Sequence, residues 1–535
     1  MPKLLEKVNF KTLFWVFFYF FIFCLLLRNS FSYLDADFGW HLKVGQEIVN
    51  TQTVPRINHY NYTFSGDWVD HEWLSNAILY ETYNYGGYIF VSILFALIVI
   101  FVLILLNVAA RRFLSETSDL LIALLQFFGL VASLPHLGVR LQEFGVLFLL
   151  LLLIIIVYYN KNKNWRTLLF LPPLMYLWAC VHASFLIGFF LLAAWLFIKI
   201  GENLGQKFWP KSWLDFSGVL EWREIIIFAV MLIFSFGATL LTPYKLGLYS
   251  FLLGYQNTFY QSNIQEWLSQ FSFPLQYWQL FYLALAALAL IFYIYYARKQ
   301  KPSLKINLWT IFLVLLFVFL GFKSRRHIPL MFIVSFLFLV DVWRIVLKTD
   351  PPVKIGRPNK YLYFWLKVYL LCCLLVASAH QLAQVRFTNE PFSGYCEKYP
   401  CGAVEFLKDH PGYDSFNIFN EYGWGGYLIW AYPEKKLFID GRLPQVPFAG
   451  QTFLEEYYDF YKKDHDIAKK LNQYQIKLVL IPAEDRDLKI KKWEKIFFGI
   501  KDGELVAHND LRDYLSSSSD WQPVYRDAIA VIYKK

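Results

Sequence analysis

Asp35-Ala36-Asp37-Phe38-Gly39-Trp40-His41 and Asp70-His71-Glu72-Trp73 place four carboxylates and two histidines in one stretch of a chain that is otherwise strongly apolar. A carboxylate can take a proton from a nucleophile or hold a hard divalent cation, and a histidine can bind a polar substrate group. Asp35, Asp37, Asp70 and Glu72 are the catalytic candidates, with either Asp35 or Asp37 able to serve as a base, and His41 and His71 are candidate substrate contacts. A cation, Mg or Mn, would fall to Asp35 and Asp37. In an extended segment these two acids point the same way; in a helix they diverge by about 200°, so spacing does not say which of them acts. The structural alternative is that the acids cap helices, since carboxylates favour helix N-termini.

The chain that positions these groups is built for lipid. Of its 535 residues 57% are hydrophobic, 20% aromatic and 17% charged, against about 45–50% apolar and about 25% charged in an ordinary soluble domain. The net charge of +10 does not point to nucleic acid, because many of the Lys and Arg sit in short loops between apolar runs, where they set membrane orientation. Acids beside a bilayer are costly and usually functional.

Lys3, Lys7 and Lys11 precede an apolar run from Phe10 to Ser32, which at about 20 residues is long enough to span. No small-residue cleavage site follows, so it reads as a retained helix. Further spans are expected near 88–110, 119–135, 143–159, 167–182, 184–200, 224–242, 277–297, 307–322, 328–346 and 361–380, about eleven in all. Arg111-Arg112, Lys161/Lys163/Arg166, Lys207/Lys211/Arg223, Arg298/Lys299/Lys301/Lys305 and Arg344/Lys348/Lys354/Arg357/Lys360 fall on the side of the N-terminus, which the positive-inside rule makes cytoplasmic. The acidic loop, within 33–87, then lies outside, as does everything after about residue 381.

Residues 381–535 are richer in charge, Gly and Pro. Lys477–Ile481 and Ala528–Ile532 have strand length, and Cys401–His410 and Thr452–Leu471 read as amphipathic helices, giving an extracytoplasmic α/β domain after a transmembrane domain of residues 1–380. Cys396 and Cys401 lie in a polar loop without a second metal-ligand pair, which favours a local disulfide over a zinc half-site if the compartment is oxidising.

Arg140, Arg325 and Arg326 lie at span ends on the outer side, where few cations are expected, and Arg suits bidentate phosphate contact; snorkelling to headgroups is the bland alternative. His182, in Trp178-Ala179-Cys180-Val181-His182, interrupts an apolar run, and Glu266 is another outer acid. Both are candidate substrate contacts, or, for His182, a hydrogen-bonded packing residue. The run Asn420-Glu421-Tyr422-Gly423-Trp424-Gly425-Gly426-Tyr427, followed by Phe438-Ile439-Asp440-Gly441-Arg442, suits either a sugar-stacking surface or a close-packed glycine turn. No Walker loop, H-E-x-x-H or G-x-S-x-G is present.

On these residues the chain resembles the GT-C superfamily of polytopic, polyprenyl-phosphate-sugar-dependent glycosyltransferases. More closely it resembles an uncharacterised bacterial membrane-protein group carrying the Asp35–Gly45, Trp178–His182 and Asn420–Arg442 elements. The resemblance implies a transmembrane helical domain of the GT-C kind and hexosyl or pentosyl transfer from a lipid-linked donor to a glycan, lipid or protein acceptor in the cell envelope. It gives the base or acceptor-orienting role to Asp35 or Asp37 and the lipid phosphate to Arg325 or Arg326. The rival from another class is a non-enzymatic transporter or scaffold that binds a lipid-linked or saccharide ligand, although no repeat between two halves favours it.

Overall fold

A helix that crosses lipid must show an apolar face outward and satisfy its backbone internally. In the computed structural model, which describes residues 9–114, 117–208, 219–254, 258–299, 307–349, 360–462, 466–488, 490–501, 504 and 506–535, Leu97, Phe101, Ile104 and Val108 recur at helical spacing on the exposed side of Trp73–Phe113. Phe95, Val99, Val102, Leu103 and Leu106 are buried on its other side. Among the described residues nine helices are long and apolar enough to cross a membrane: Phe10–Ser30, Trp73–Phe113, Asp119–His136, Gln142–Asn162, Phe185–Lys207, Trp222–Thr239, Tyr277–Tyr296, Arg325–Lys348 and Phe364–Ala383. Trp165–Val181 and Leu308–Lys323 are apolar but shorter, so each predicted span coincides with an apolar helix while only nine have spanning length. Lys3, Lys7, Lys211, Lys301, Lys305, Lys354 and Arg357 of the predicted cationic loops lie outside the described residues.

The chain packs into two compact units. The first takes residues 1–33, 92–242 and 276–387. In it Asp119, in the first turn of its helix, accepts from Trp15 Nε1 at 3.1 Å and pairs with Arg111. Buried Gln126 donates to the Leu103 carbonyl at 2.6 Å, so a polar group in an apolar helix stays satisfied.

The second unit takes residues 34–91, 243–275 and 388–535. Its sheet has strands β1 Asn417–Asn420, β2 Ile476–Pro482, β3 Gln522–Arg526 and β4 Ala530–Lys534, in the order β1-β2-β4-β3. β1 runs parallel to β2, with Phe419 opposite Val479, and the other pairs are antiparallel. β2 is buried along most of its length because it is central; Pro523 sits in edge strand β3, which tolerates a missing N–H. Residues 57–67 add to this domain: Asn61 bridges Leu437, Leu437 N donates to the Tyr60 carbonyl at 2.9 Å, and Thr63 Oγ1 to that of Phe438 at 2.6 Å.

Two sequence expectations shift here. The strand predicted at Ala528–Ile532 begins at Ala530, because Asp527 Oδ1 accepts from the N–H groups of Ile529 and Ala530 and makes a turn of the first two positions. Within Thr452–Leu471, read as one helix, the described residues form separate helices, Phe453–Tyr458 and Ile467–Gln473. Thr452 with Glu455 caps the first, and Asp466, accepting from Lys469 N at 3.0 Å, caps the second. Cys401–Lys408 is helical as expected, and Cys396 and Cys401 are disulfide-bonded.

Candidate functional site

Asp35 and Asp37 stand just ahead of the helix Phe38–Thr51. Asp35 Oδ1 accepts from the Asp37 N–H at 2.9 Å and so shapes the turn. Asp37 sits at the N-cap position, yet its side chain caps nothing. Instead Oδ1 accepts from Trp40 Nε1 at 2.9 Å, while Oδ2 accepts no hydrogen bond among the described residues. The carboxylate therefore faces inward on the unit rather than along its own helix.

What it faces is set by glycines. A Cβ on Gly441 would overlap Asp37 Oδ1, one on Gly426 would overlap the Ala36 carbonyl oxygen, and one on Gly39 that of Gly426. The aromatic-glycine run and the Phe-Ile-Asp-Gly-Arg element thus serve close packing against the acidic turn, with Gly425, Gly426 and Trp424 all buried. Burial raises the Asp37 carboxyl from 3.8 to about 7; the charges of Asp35, Glu266 and Asp440 add to the rise and the Trp40 hydrogen bond opposes it. Glu266 comes from the short 3-10 turn Gln265–Trp267.

Asp440 and Arg442 form a fully buried bidentate pair: Nε donates to Oδ1 at 2.9 Å and Nη2 to Oδ2 at 2.8 Å. Nη2 also reaches Asn58 Oδ1 and Asn61 Oδ1, at 3.0 and 3.2 Å, and the guanidinium lies 4.6 and 4.8 Å from the Tyr60 and Trp68 ring centroids. This pair pins residues 58–68 against the sheet domain.

Asp70 is 1% exposed and works within the fold. It accepts from Glu72 N at 3.1 Å and from Asn76 Nδ2 at 3.0 and 2.8 Å. Its own N–H donates to Tyr244 Oη, which donates to the Pro55 carbonyl at 2.6 Å. Burial lifts the Asp70 carboxyl to about 6, against the lowering effect of these bonds. Glu72 is buried with Oε1 3.8 Å from His71 Nε2, and the His71 ring lies 5.7 Å from that of Phe251. His41 packs on Trp40, ring centroids 3.7 Å apart, with Nδ1 2.6 Å from Asn76 Oδ1.

The second unit thus gathers Asp35, Asp37, His41, Asp70, His71, Glu72 and Glu266. Arg140, His182, Arg325 and Arg326 belong to the first unit. There Arg140 reaches Tyr33 Oη at 3.4 Å, and Arg325 is buried in the turn Arg325–His327. His182 ends the helix Leu171–Val181; its Nδ1 accepts from Ser184 N at 3.0 Å, and Ser184 Oγ accepts from Trp178 Nε1 at 2.9 Å. The Trp178-to-His182 spacing is that of a hydrogen-bonded break between two apolar helices. Sequence reasoning missed Asn76 and Trp40 Nε1; the one available signal was an Asn on the buried side of an otherwise apolar helix.

Comparison with solved structures places this architecture. The crystal structure of the oligosaccharyltransferase of Archaeoglobus fulgidus in its apo form matches with a TM-score of 0.53 at 9% identity, covering 89% of this chain and 70% of that one. The same enzyme tethered to an acceptor peptide with an NVT sequon, and its complex with an inhibitory peptide and a dolichol-phosphate, give the same score. The chain thus shares the fold of that enzyme over most of its length. At that identity the likeness is one of fold. No protein-family model and no curated protein sequence matches the chain.

Proposed function

We propose that the protein is an inverting glycosyltransferase, moving a hexosyl or pentosyl group from a polyprenyl-phosphate-linked donor to an acceptor at the outer face of the cytoplasmic membrane. The observation that carries this reading is Asp37: a carboxylate with one oxygen uncommitted to the fold and its pKa raised to about 7, near the value that suits a general base at neutral pH.

In the proposed step an acceptor X–H approaches Asp37 Oδ2. As X bonds to the anomeric carbon, its proton passes to Asp37 and the bond from that carbon to the phosphate oxygen breaks. Polyprenyl phosphate leaves with the bonding pair and the sugar carbon is inverted. The leaving group is already stable as an anion, so positioning and a base supply most of what the reaction needs. Arg325 or Arg326 is assigned to the lipid phosphate, on the guanidinium's match to that anion.

A divalent cation fits the donor set. The fields of Asp35 and Glu266 raise Asp37, an excess of negative charge that a cation would relieve, whereas Asp440 is already matched by Arg442. Asp35 and Asp37 would hold it, and bound there it would supply positive charge for the departing phosphate.

The test is consumption of donor. Purified full-length protein in liposomes is given radiolabelled polyprenyl-phosphate hexoses and pentoses with a membrane extract as acceptor. Protein-dependent transfer of label with release of polyprenyl phosphate is expected; if no donor is consumed beyond the protein-free rate, the reading fails.

A further inference from the structure

Three side chains form a hydrogen-bonded chain inside the second unit: Asp70, Asn76 and His41. Asp70 and Asn76 are 1% and 0% exposed. Both Asp70 oxygens lie within 3.0 Å of Asn76 Nδ2. An ionised carboxylate only accepts, so the amide must turn its NH2 group toward Asp70 and its oxygen toward His41. That oxygen also only accepts, and it stands 2.6 Å from His41 Nδ1. The proton of a neutral His41 therefore sits on Nδ1 and the lone pair on Nε2.

The ring is buried, which disfavours its charged form. Packing on Trp40 fixes its plane, and Trp40 Nε1 in turn donates to Asp37. His41 Nε2 makes no hydrogen bond among the described residues, and the residue as a whole is 9% exposed. A histidine serving only to fill the core would have no reason to be held in one tautomer with its acceptor nitrogen left over, because an unmatched acceptor is costly.

We propose that His41 Nε2 is a fixed hydrogen-bond acceptor for an X–H group, hydroxyl or amide, on the sugar acceptor, with Asp70 and Asn76 as positioning residues that set its tautomer. The proposal rests on the transferase reading above and adds to it the chemistry of the acceptor: the acceptor carries a second donor besides the one that gives its proton to Asp37. An acceptor without that donor leaves Nε2 unmatched and is rejected by about tenfold or more.

Nitrogen-15 NMR of histidine-labelled full-length protein in bilayers reads the tautomer directly, the His41 signal being the one lost in His41→Gln. A proton on Nδ1 that becomes distributed between both nitrogens in Asn76→Ala is expected; a proton on Nε2 in the wild type, or no change in Asn76→Ala, overturns the proposal. The functional arm uses amide mimics of each ring nitrogen. His41→Gln keeps an acceptor near the Nε2 position and is expected to hold the half-saturating amount of membrane-extract acceptor within about threefold of wild type, whereas His41→Asn, which reaches only Asn76, raises it about tenfold or more. Transfer by the wild type with an unchanged His41→Asn leaves the transferase reading standing and overturns this one. A wild type that consumes no donor sinks the transferase reading and the ligand proposed here with it, while the tautomer is still decided by NMR.

Discussion

At Asp37 the fold opposes ionisation, and that has consequences for both stability and rate. A carboxyl raised from 3.8 to about 7 keeps in the folded state a proton that the unfolded chain has already released. Its contribution to stability is complete below about pH 4 and is lost as pH rises through about 7. Asp37→Asn removes a charge the fold resists, so its thermal unfolding in detergent at pH 8 should shift upward, by about 1–3 kcal/mol. The base works only when ionised, so transfer without added cation should rise with pH and reach half its plateau near pH 7. Adding Mg or Mn should move that midpoint to lower pH, because positive charge favours the carboxylate; a pH–rate profile with and without chelator reads both. The D-x-D-x-x-W-H spacing exposed Asp35, Asp37 and His41 in the sequence. It did not separate the acids, since their difference lies in which one Asp440, Gly441 and Trp40 surround.

At the scale of elements, two close approaches hold the acidic turn. Gly426 and Gly423 belong to one aromatic-glycine run, but a Cβ on Gly426 would meet the Ala36 carbonyl, whereas one on Gly423 meets nothing within 4 Å. Gly426→Ala is therefore expected to destabilise the protein by about 2 kcal/mol or more and to lower transfer, and Gly423→Ala to do neither; thermal unfolding and transfer assays on the pair check this. Arg442→Ala strands a fully buried Asp440 and should cost about 3–5 kcal/mol, while Asp440→Asn with Arg442→Met should cost less, because it removes both charges together. The apolar helices and strand β2 were legible because burial imposes a period or a continuous apolar run on them. The seam between residues 57–67 and 437–439 was not, since backbone pairing across that separation leaves no local mark. The start of a second helix at Ile467 was hidden for a related reason: Asp466 reads as a polar helix position until its side chain is seen capping.

For the whole molecule, the apolar helices made the kind of fold legible, and the archaeal oligosaccharyltransferase shares that fold over most of this chain; the Lys and Arg asymmetry of the loops leads only to an expected orientation. How the second unit is assembled from three separate stretches was beyond reach of loop counting. An extracytoplasmic sheet domain should keep Cys396 and Cys401 oxidised: in intact cells neither should take an impermeant maleimide before reduction, and both should afterwards. The proposed role of Asp37 as the base is tested by single-turnover transfer from a polyprenyl-phosphate-linked sugar with Asp37→Asn. A rate at least about 100-fold below wild type is expected in a protein that unfolds at the same or a higher temperature; a correctly folded Asp37→Asn protein that transfers sugar at the wild-type rate would contradict that role.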